Sequence, residues 1–154
     1  MINVRVYGIL INEQNQILVS DELIRGMHIT KFCGGGLEEG EGTRDCLKRE
    51  FMEEMNLEVE IREHIYTTDF YQPSAFRKDD QILSIYYNVT PLKAIAIKVS
   101  NKPFDFDAAQ MRIYETTQQI ENFRFISFID FNESCMTLPI DKVVAKLVKK
   151  GTIL

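Results

Sequence analysis

From Val4 to Ile11 the chain is rich in β-branched residues, and Gln16 to Ser20 resumes that character after the polar stretch Asn12-Glu13-Gln14-Asn15. This pattern predicts a β-hairpin. Residues 21–31 read as a connecting segment that leads through Phe32-Cys33 into Gly34-Gly35-Gly36, which predicts a loop with unusual backbone freedom. From Thr43 the period changes. Cys46, Leu47, Phe51 and Met55 recur three or four apart, the apolar stripe of an amphipathic helix, with Thr43 as its cap and Asn56 at its left-handed end. Leu57, Val59 and Ile61 then alternate with charged residues, as in a half-buried strand. Two more strands are expected at Ile65–Phe70 and Ile82–Val89, separated by a turn-forming loop, residues 71–80, around Pro73. Residues 92–122 give mixed signals and predict no regular element, although Ala94 to Val99 has strand character. Phe123 to Ile129 reads as a strand. After Leu138-Pro139, the spacing of Val143, Val144, Leu147 and Val148 predicts a closing helix from about Asp141.

Strands interleaved with helices place the chain in the α/β class, and 154 residues suit one domain with its own core. Apolar residues at 45% and charged residues at 27% match a globular composition and exclude a disordered chain. The formal net charge is −5, and lysines and arginines form no run, so a nucleic-acid partner is not expected. No apolar stretch approaches the ~20 residues of a membrane span, and no signal peptide is evident, so no membrane partner is expected either. Three cysteines without paired spacing suggest neither a disulfide framework nor a zinc site, and a reducing cytoplasm is the simplest setting.

Carboxylates concentrate between Glu38 and Glu60. On a helix, Glu50, Glu53 and Glu54 stand at i, i+3 and i+4 and share one face. Like charges at this spacing cost about a few tenths of a kcal/mol per pair, which an oxygen-seeking divalent cation offsets. Magnesium is the natural candidate, since its hard oxygen preference and retained waters suit phosphate chemistry. The same pattern would also describe an acidic face that is simply solvated. An EF-hand type of calcium site would need ligands alternating along a loop, and these have helical spacing instead.

Gly35, five residues, Glu41, seven residues, then Arg49-Glu50-Phe51-Met52-Glu53-Glu54-Met55-Asn56-Leu57 resembles the signature box of the Nudix hydrolases. The one departure is Asn56, where that family usually has glycine. Val4 to Ile11 is similar to the family's first core strand, and Phe123 to Ile126 with Leu138-Pro139 to its last strand and the entry to its last helix. The resemblance implies a Nudix fold, an α/β/α sandwich around a mixed β-sheet, spanning residues 1–154 as a single Nudix domain. It implies Mg2+-dependent hydrolysis of the pyrophosphate bond of a nucleoside diphosphate linked to another moiety, with Mn2+ as a substitute metal. Glu50, Glu53, Glu54 and the Gly34 carbonyl are the implied metal ligands. Glu50 and Glu53 lead as general base, and Glu115 or Glu121, beside Gln119, could supply an acid from a loop before the final strand. Arg49 counts with the catalytic group, as the guanidinium that holds the metal-binding glutamates in place, while Gly35 and Glu41 hold the box structurally. For the substrate, Arg5, Arg77 and Lys78 could meet phosphate, and Phe70, Tyr71 and Phe76 could stack on a base. The partner is then a small nucleotide, and a homodimer is also in keeping with the family. His28 and His64 are isolated and are given no chemistry. The alternative function is a catalytically inactive Nudix-fold module that binds and senses a nucleotide. Isopentenyl diphosphate isomerisation, which occurs on related folds, lacks its cysteine and histidine context here.

Overall fold

The structure, a computed structural model, describes residues 1–151. In chain order the elements are β1 (Ile2–Leu10), β2 (Gln16–Ile24), β3 (Met27–Lys31), β4 (Cys33–Gly36), α1 (Thr43–Met55), β5 (Val59–Thr67), β6 (Gln81–Pro91), β7 (Val99–Ser100), α2 (Ala108–Thr117), β8 (Gln119–Ser127) and α3 (Pro139–Lys149). A short 3-10 turn covers Glu133–Cys135. The chain divides into two compact units, Met1–Leu10 with Cys33–Ala96 and Gly151, and Ile11–Phe32 with Ile97–Lys150.

The first unit holds a four-stranded sheet in the order β4-β1-β6-β5, with β1 and β6 parallel and the outer pairs antiparallel. Its central strand is apolar over Val6, Ile9 and Leu10, all fully buried, as expected of a strand with neighbours on both sides. Helix α1 buries Cys46, Leu47, Phe51 and Met55. Gly8 makes room for it, because a Cβ on Gly8 would stand 2.9 Å from both the Phe51 ring and Val89 Cγ1. Burying the Phe51 side chain in that gap contributes about 1.5–3 kcal/mol.

The second unit holds a four-stranded sheet in the order β3-β2-β8-β7, again mixed, with β7 parallel to β8. A tight turn at Arg25-Gly26, both with positive φ (48° and 79°), joins β2 to β3. That pair of angles is the hairpin geometry matched to strand twist. Across this sheet the fully buried Asp21 accepts from Arg124 Nε at 2.7 Å and Nη2 at 2.9 Å, and from Thr30 Oγ1 at 2.7 Å. Three donors satisfy the carboxylate, which is the condition for keeping a charge in the interior. Helix α2 is started by a capping box between Asp107 and Gln110 and buries no residue, whereas α3 begins at Pro139 and buries Ile140, Val144, Ala145 and Val148.

The α/β class and the mixed character of the sheets are as expected, with the strands shared between two sheets. Helix α1 runs as predicted, and Asn56 closes it in the left-handed conformation (φ 49°), its N–H bonding to Met52 O. Several expectations need correction. The first two strands do not form a hairpin, since β1 pairs with β4 and β6, and β2 with β3 and β8. Residues 21–31 are not a connector but the end of β2, a turn and β3. The triple glycine is a strand, β4, paired with β1. Thr43 is the first helical residue and not the cap, for Gly42 holds that place and Thr43 Oγ1 lies 2.7 Å from Tyr87 Oη. The two strands expected at 57–62 and 65–70 are one, β5, kinked by register shifts at Ile61/His64 and His64/Tyr66. Residues 92–122 contain β7, α2 and the start of β8. Among the described residues no helix is long and apolar enough to cross a membrane.

Candidate functional site

All of the chemistry-bearing box residues lie in the first unit, on β4, on α1 and on the turn between them. Arg49 is their hub. Its Nε donates to Glu41 Oε2 at 3.0 Å and its Nη2 to Glu41 Oε1 at 2.7 Å, a two-pronged pair of the kind a planar guanidinium favours. Nη2 also donates to the Gly36 carbonyl at 3.0 Å, and Nη1 donates to Glu50 Oε1 at 3.0 Å and Glu53 Oε2 at 3.2 Å. Glu38 adds a looser contact at 3.6 Å. Glu41 Oε1 meanwhile accepts from the Glu38 N–H at 2.9 Å, which fastens the turn that precedes the helix.

The electrostatics follow from this network. Hydrogen bonding from Arg49, aided by the Glu38 N–H, holds the Glu41 carboxyl down at about 2. The same contact with Glu41, set against a smaller opposing effect of burial, raises the Arg49 guanidinium above its already high value. Cys46 is fully buried, with Sγ 3.7 Å from Arg49 Nη2 and 3.5 Å from the Gly36 carbonyl. Burial first, and Glu41 second, push its thiol up to about 12, so it stands as a neutral packing group beside the arginine.

Two glycines of β4 are needed for space. A Cβ on Gly35 would fall on the Glu50 carboxylate, 2.5 Å from Oε1 and 2.6 Å from Oε2. A Cβ on Gly34, which has φ 153°, would collide with the Val6 backbone carbonyl. The missing side chains therefore bring the first glutamate directly over the backbone of β4.

Glu50, Glu53 and Glu54 share helix α1, with Glu50 and Glu54 half-buried or nearly buried and Glu53 exposed. Among the described residues, no three His, Cys, Asp or Glu groups stand in an arrangement that could already hold a metal ion. The donor set nonetheless fits a hard divalent cation. It consists of carboxylate oxygens on one helix, and the cradle that Gly35 leaves open places one of them against backbone.

Of the other sequence-selected residues, Arg5 stands in β1 opposite Gly36, with Nη1 3.7 Å from the position of a Gly36 Cβ. Its Nε donates to Tyr7 Oη at 2.7 Å. Phe70, Tyr71 and Phe76 are exposed on the loop between β5 and β6, Tyr71 most of all at 69%. Arg77 on that loop pairs with the buried Asp80 at 3.5 Å, and Lys78 is exposed. Glu115 lies exposed on α2, and Glu121 lies within β8, where it accepts from Ser20 Oγ at 2.6 Å. No loop precedes the final strand at Gln119, because α2 runs to Thr117 and β8 starts at Gln119. Sequence reasoning missed the contacts of Cys46 and Tyr7. The first could have been found from its position three residues before Arg49, on the same helix face.

The family description that matches the chain is the NUDIX domain, over residues 1–131. No curated protein matches it significantly. Among solved structures, a NUDIX hydrolase from Nitrosomonas europaea superposes with a TM-score of 0.66 at 17% identity, covering 98% of this chain and 90% of that one. A MutT protein from Methanosarcina mazei Go1 gives 0.66 at 13% identity, with coverages of 98% and 95%. An ADP-ribose pyrophosphatase from Streptococcus suis gives 0.58 at 13% identity, with coverages of 96% and 92%. At such identities the superpositions speak for the fold, and the family match speaks for kinship. Together with the gathered box residues, they establish that this chain belongs to the Nudix family.

Proposed function

We propose that this protein hydrolyses the pyrophosphate bond of a nucleoside diphosphate linked to another moiety, with Mg2+ held by Glu50, Glu53, Glu54 and the Gly34 carbonyl. The observation that carries the reading is the Arg49 hub, which ties Glu41, Glu50 and Glu53 to the Gly36 backbone within 3.2 Å. Divalent metal use is general in this family. When bound, the metal would polarise phosphoryl oxygens and lower the pKa of an attacking water. The chain's own residues do the rest. Glu50, which lies between Arg49 and the Gly35 backbone, and Glu53, one turn further along the exposed face, are the two groups proposed to accept the proton of that water. Arg49 sets their orientation.

Arg5 is proposed to meet a phosphate, because its guanidinium stands beside β4 and is oriented by Tyr7. Phe70 and Tyr71 are proposed to stack on the base, with Arg77 nearby on the same loop. A nucleoside triphosphate, a nucleotide sugar and ADP-ribose all satisfy this chemistry, and the resemblance in fold to a protein described as an ADP-ribose pyrophosphatase makes the last worth testing first. The whole chain is proposed to act as one Nudix domain.

The test is a panel of nucleoside triphosphates, ADP-ribose, nucleotide sugars, dinucleoside polyphosphates and dinucleotide cofactors, incubated with Mg2+ or Mn2+ beside a Glu53→Gln control. Turnover that disappears in the control supports hydrolysis. Absence of turnover across the panel, with a nucleotide still bound tightly, would replace it with the sensing-module reading.

A further inference from the structure

In a regular strand, residues two apart share a face, so His64 and Tyr66 of β5 would point the same way. The register against β6 shifts between them, and they part. His64 meets the Tyr87 ring edge-on at 5.8 Å, whereas the Tyr66 ring lies 6.4 Å from that of Tyr86. Irregularities of this kind re-aim a side chain. Tyr66 thereby joins the sheet face that carries Arg5 and Tyr7, because Tyr7 stands opposite Gly34 on one side and Tyr86 on the other. One row of residues thus crosses the four strands, from the Gly34 backbone on β4 through Tyr7 and Tyr86 to Tyr66 on β5. Tyr7 and Tyr86 are buried, with ring centroids 5.4 Å apart, and keep the row in place. At its far end Tyr66 Oη donates to Asp69 Oδ1 at 2.6 Å. Burial first, and Asp69 second, raise the Tyr66 phenol above its ordinary value, so it stays a donor at neutral pH. Asp69 is exposed on the stretch that continues into Phe70 and Tyr71, and Tyr66 engages only one of its oxygens.

We infer that Asp69, held by Tyr66, is a specificity residue that selects a nucleotide whose base carries an amino group where hypoxanthine and uracil carry a carbonyl. The inference rests on the reading above, in which phosphate meets Arg5 and the base stacks on Phe70 and Tyr71. Strands β1 and β5 are separated by β6 alone, so about 10 Å of sheet lies between the Arg5 and Tyr66 columns, room for a ribose and a base. Charge sets the direction. Arg5 attracts phosphate oxygens and the Asp69 carboxylate repels them, which puts the phosphates at the β4–β1 side and the base at the β5 side. A carboxylate accepts hydrogen bonds and donates none, so the amino group of adenine or cytosine can meet it, whereas a carbonyl in that place is turned away. Tyr66 fixes Asp69 through one hydroxyl and leaves its charge in place.

The experiment is calorimetric titration of the full chain, in Mg2+, with two pairs of ligands: ADP against inosine diphosphate, and CDP against UDP. Within each pair one amino group is exchanged for a carbonyl, so phosphate and stacking contacts cancel. Wild type should bind the amino member about tenfold more tightly. Asp69→Asn, whose amide can also donate to a carbonyl, should bring the ratio to within about twofold of unity, and Tyr66→Phe, which keeps the ring, should lower it. A residue that only supports its loop would weaken all the ligands alike and leave the ratio where it was. Equal affinities in wild type, or a ratio unchanged in Asp69→Asn, overturn the inference and leave hydrolysis standing. The expected ratios beside a silent hydrolysis panel overturn hydrolysis alone, and no binding of any ligand with a silent panel overturns both.

Discussion

Gly35→Ala offers a clean separation of the site's geometry from the stability of the fold. The added methyl would stand 2.5 Å from Glu50 Oε1, where ordinary contact begins at 3.4 Å, so the carboxylate must withdraw by about 1 Å. Gly35 is not in a left-handed conformation, so alanine fits its backbone. The displaced oxygen is the one that accepts from Arg49 Nη1 at 3.0 Å, and moving it removes a charge-assisted hydrogen bond worth about 1.5–3 kcal/mol when fully formed. Partial solvent access at Arg49, whose side chain is 22% exposed, lowers that figure. Replacing glycine returns about 0.4–1 kcal/mol through the unfolded chain. The net loss of stability is about 1 kcal/mol, a fall in Tm of about 2–4 °C for a chain of this size. A 1 Å misplacement of a reacting carboxylate, by contrast, costs on the order of 100-fold in rate. Thermal unfolding and pyrophosphatase kinetics on the substrate found by the panel would be measured side by side. Activity within about threefold of wild type would show that Glu50 does not act from its position over Gly35, and the reasoning from that contact would fail.

Other outcomes can be stated more briefly. Glu41 has a folded pKa of about 2 against an ordinary 4.5, so its contribution to stability is complete above pH 4.5 and is lost as pH falls towards 2. Urea unfolding of Glu41→Gln should therefore differ from wild type near neutral pH and converge with it near pH 2, and a constant difference would contradict the assignment. Arg124→Met should destabilise the chain by about 3 kcal/mol, because it strands the buried Asp21 carboxylate, and restoration by Asp21→Asn in the same chain would identify the cause. Asn56→Ala, forced to keep φ near 49°, should cost about 1 kcal/mol, whereas Asn56→Gly should change stability by less than about 1 kcal/mol; equal effects in denaturant titrations would remove the left-handed argument.

What could be read from the sequence depended on the range of the interactions involved. Helix α1 was legible down to its last residue because a 3.6-residue period and a left-handed asparagine are local properties. The hairpin expected at the start was not formed because a polar turn between two strand-like runs shows only that the chain reverses. Partner choice is decided elsewhere, in this case by β6, which pairs in parallel with β1 from Ile2 opposite Gln81 to Leu10 opposite Val89. Three glycines in a row, 34–36, suggest a loop because glycine is usually valued for its freedom. Gly34 and Gly35 are needed here for having no side chain, which only the positions of Val6 and Glu50 could reveal. Helix α2 escaped because it buries no residue and so has no apolar stripe, although the Asp107 and Gln110 spacing of its capping box was present to be read. The same distinction runs through the site. Spacing alone puts Glu50, Glu53 and Glu54 on one face, but the contact that ties Glu50 to Glu53 depends on where one guanidinium points. That direction is set by Glu41 and the Gly36 carbonyl, on a turn and a strand outside the helix, and it brings Nη1 within 3.2 Å of both glutamates.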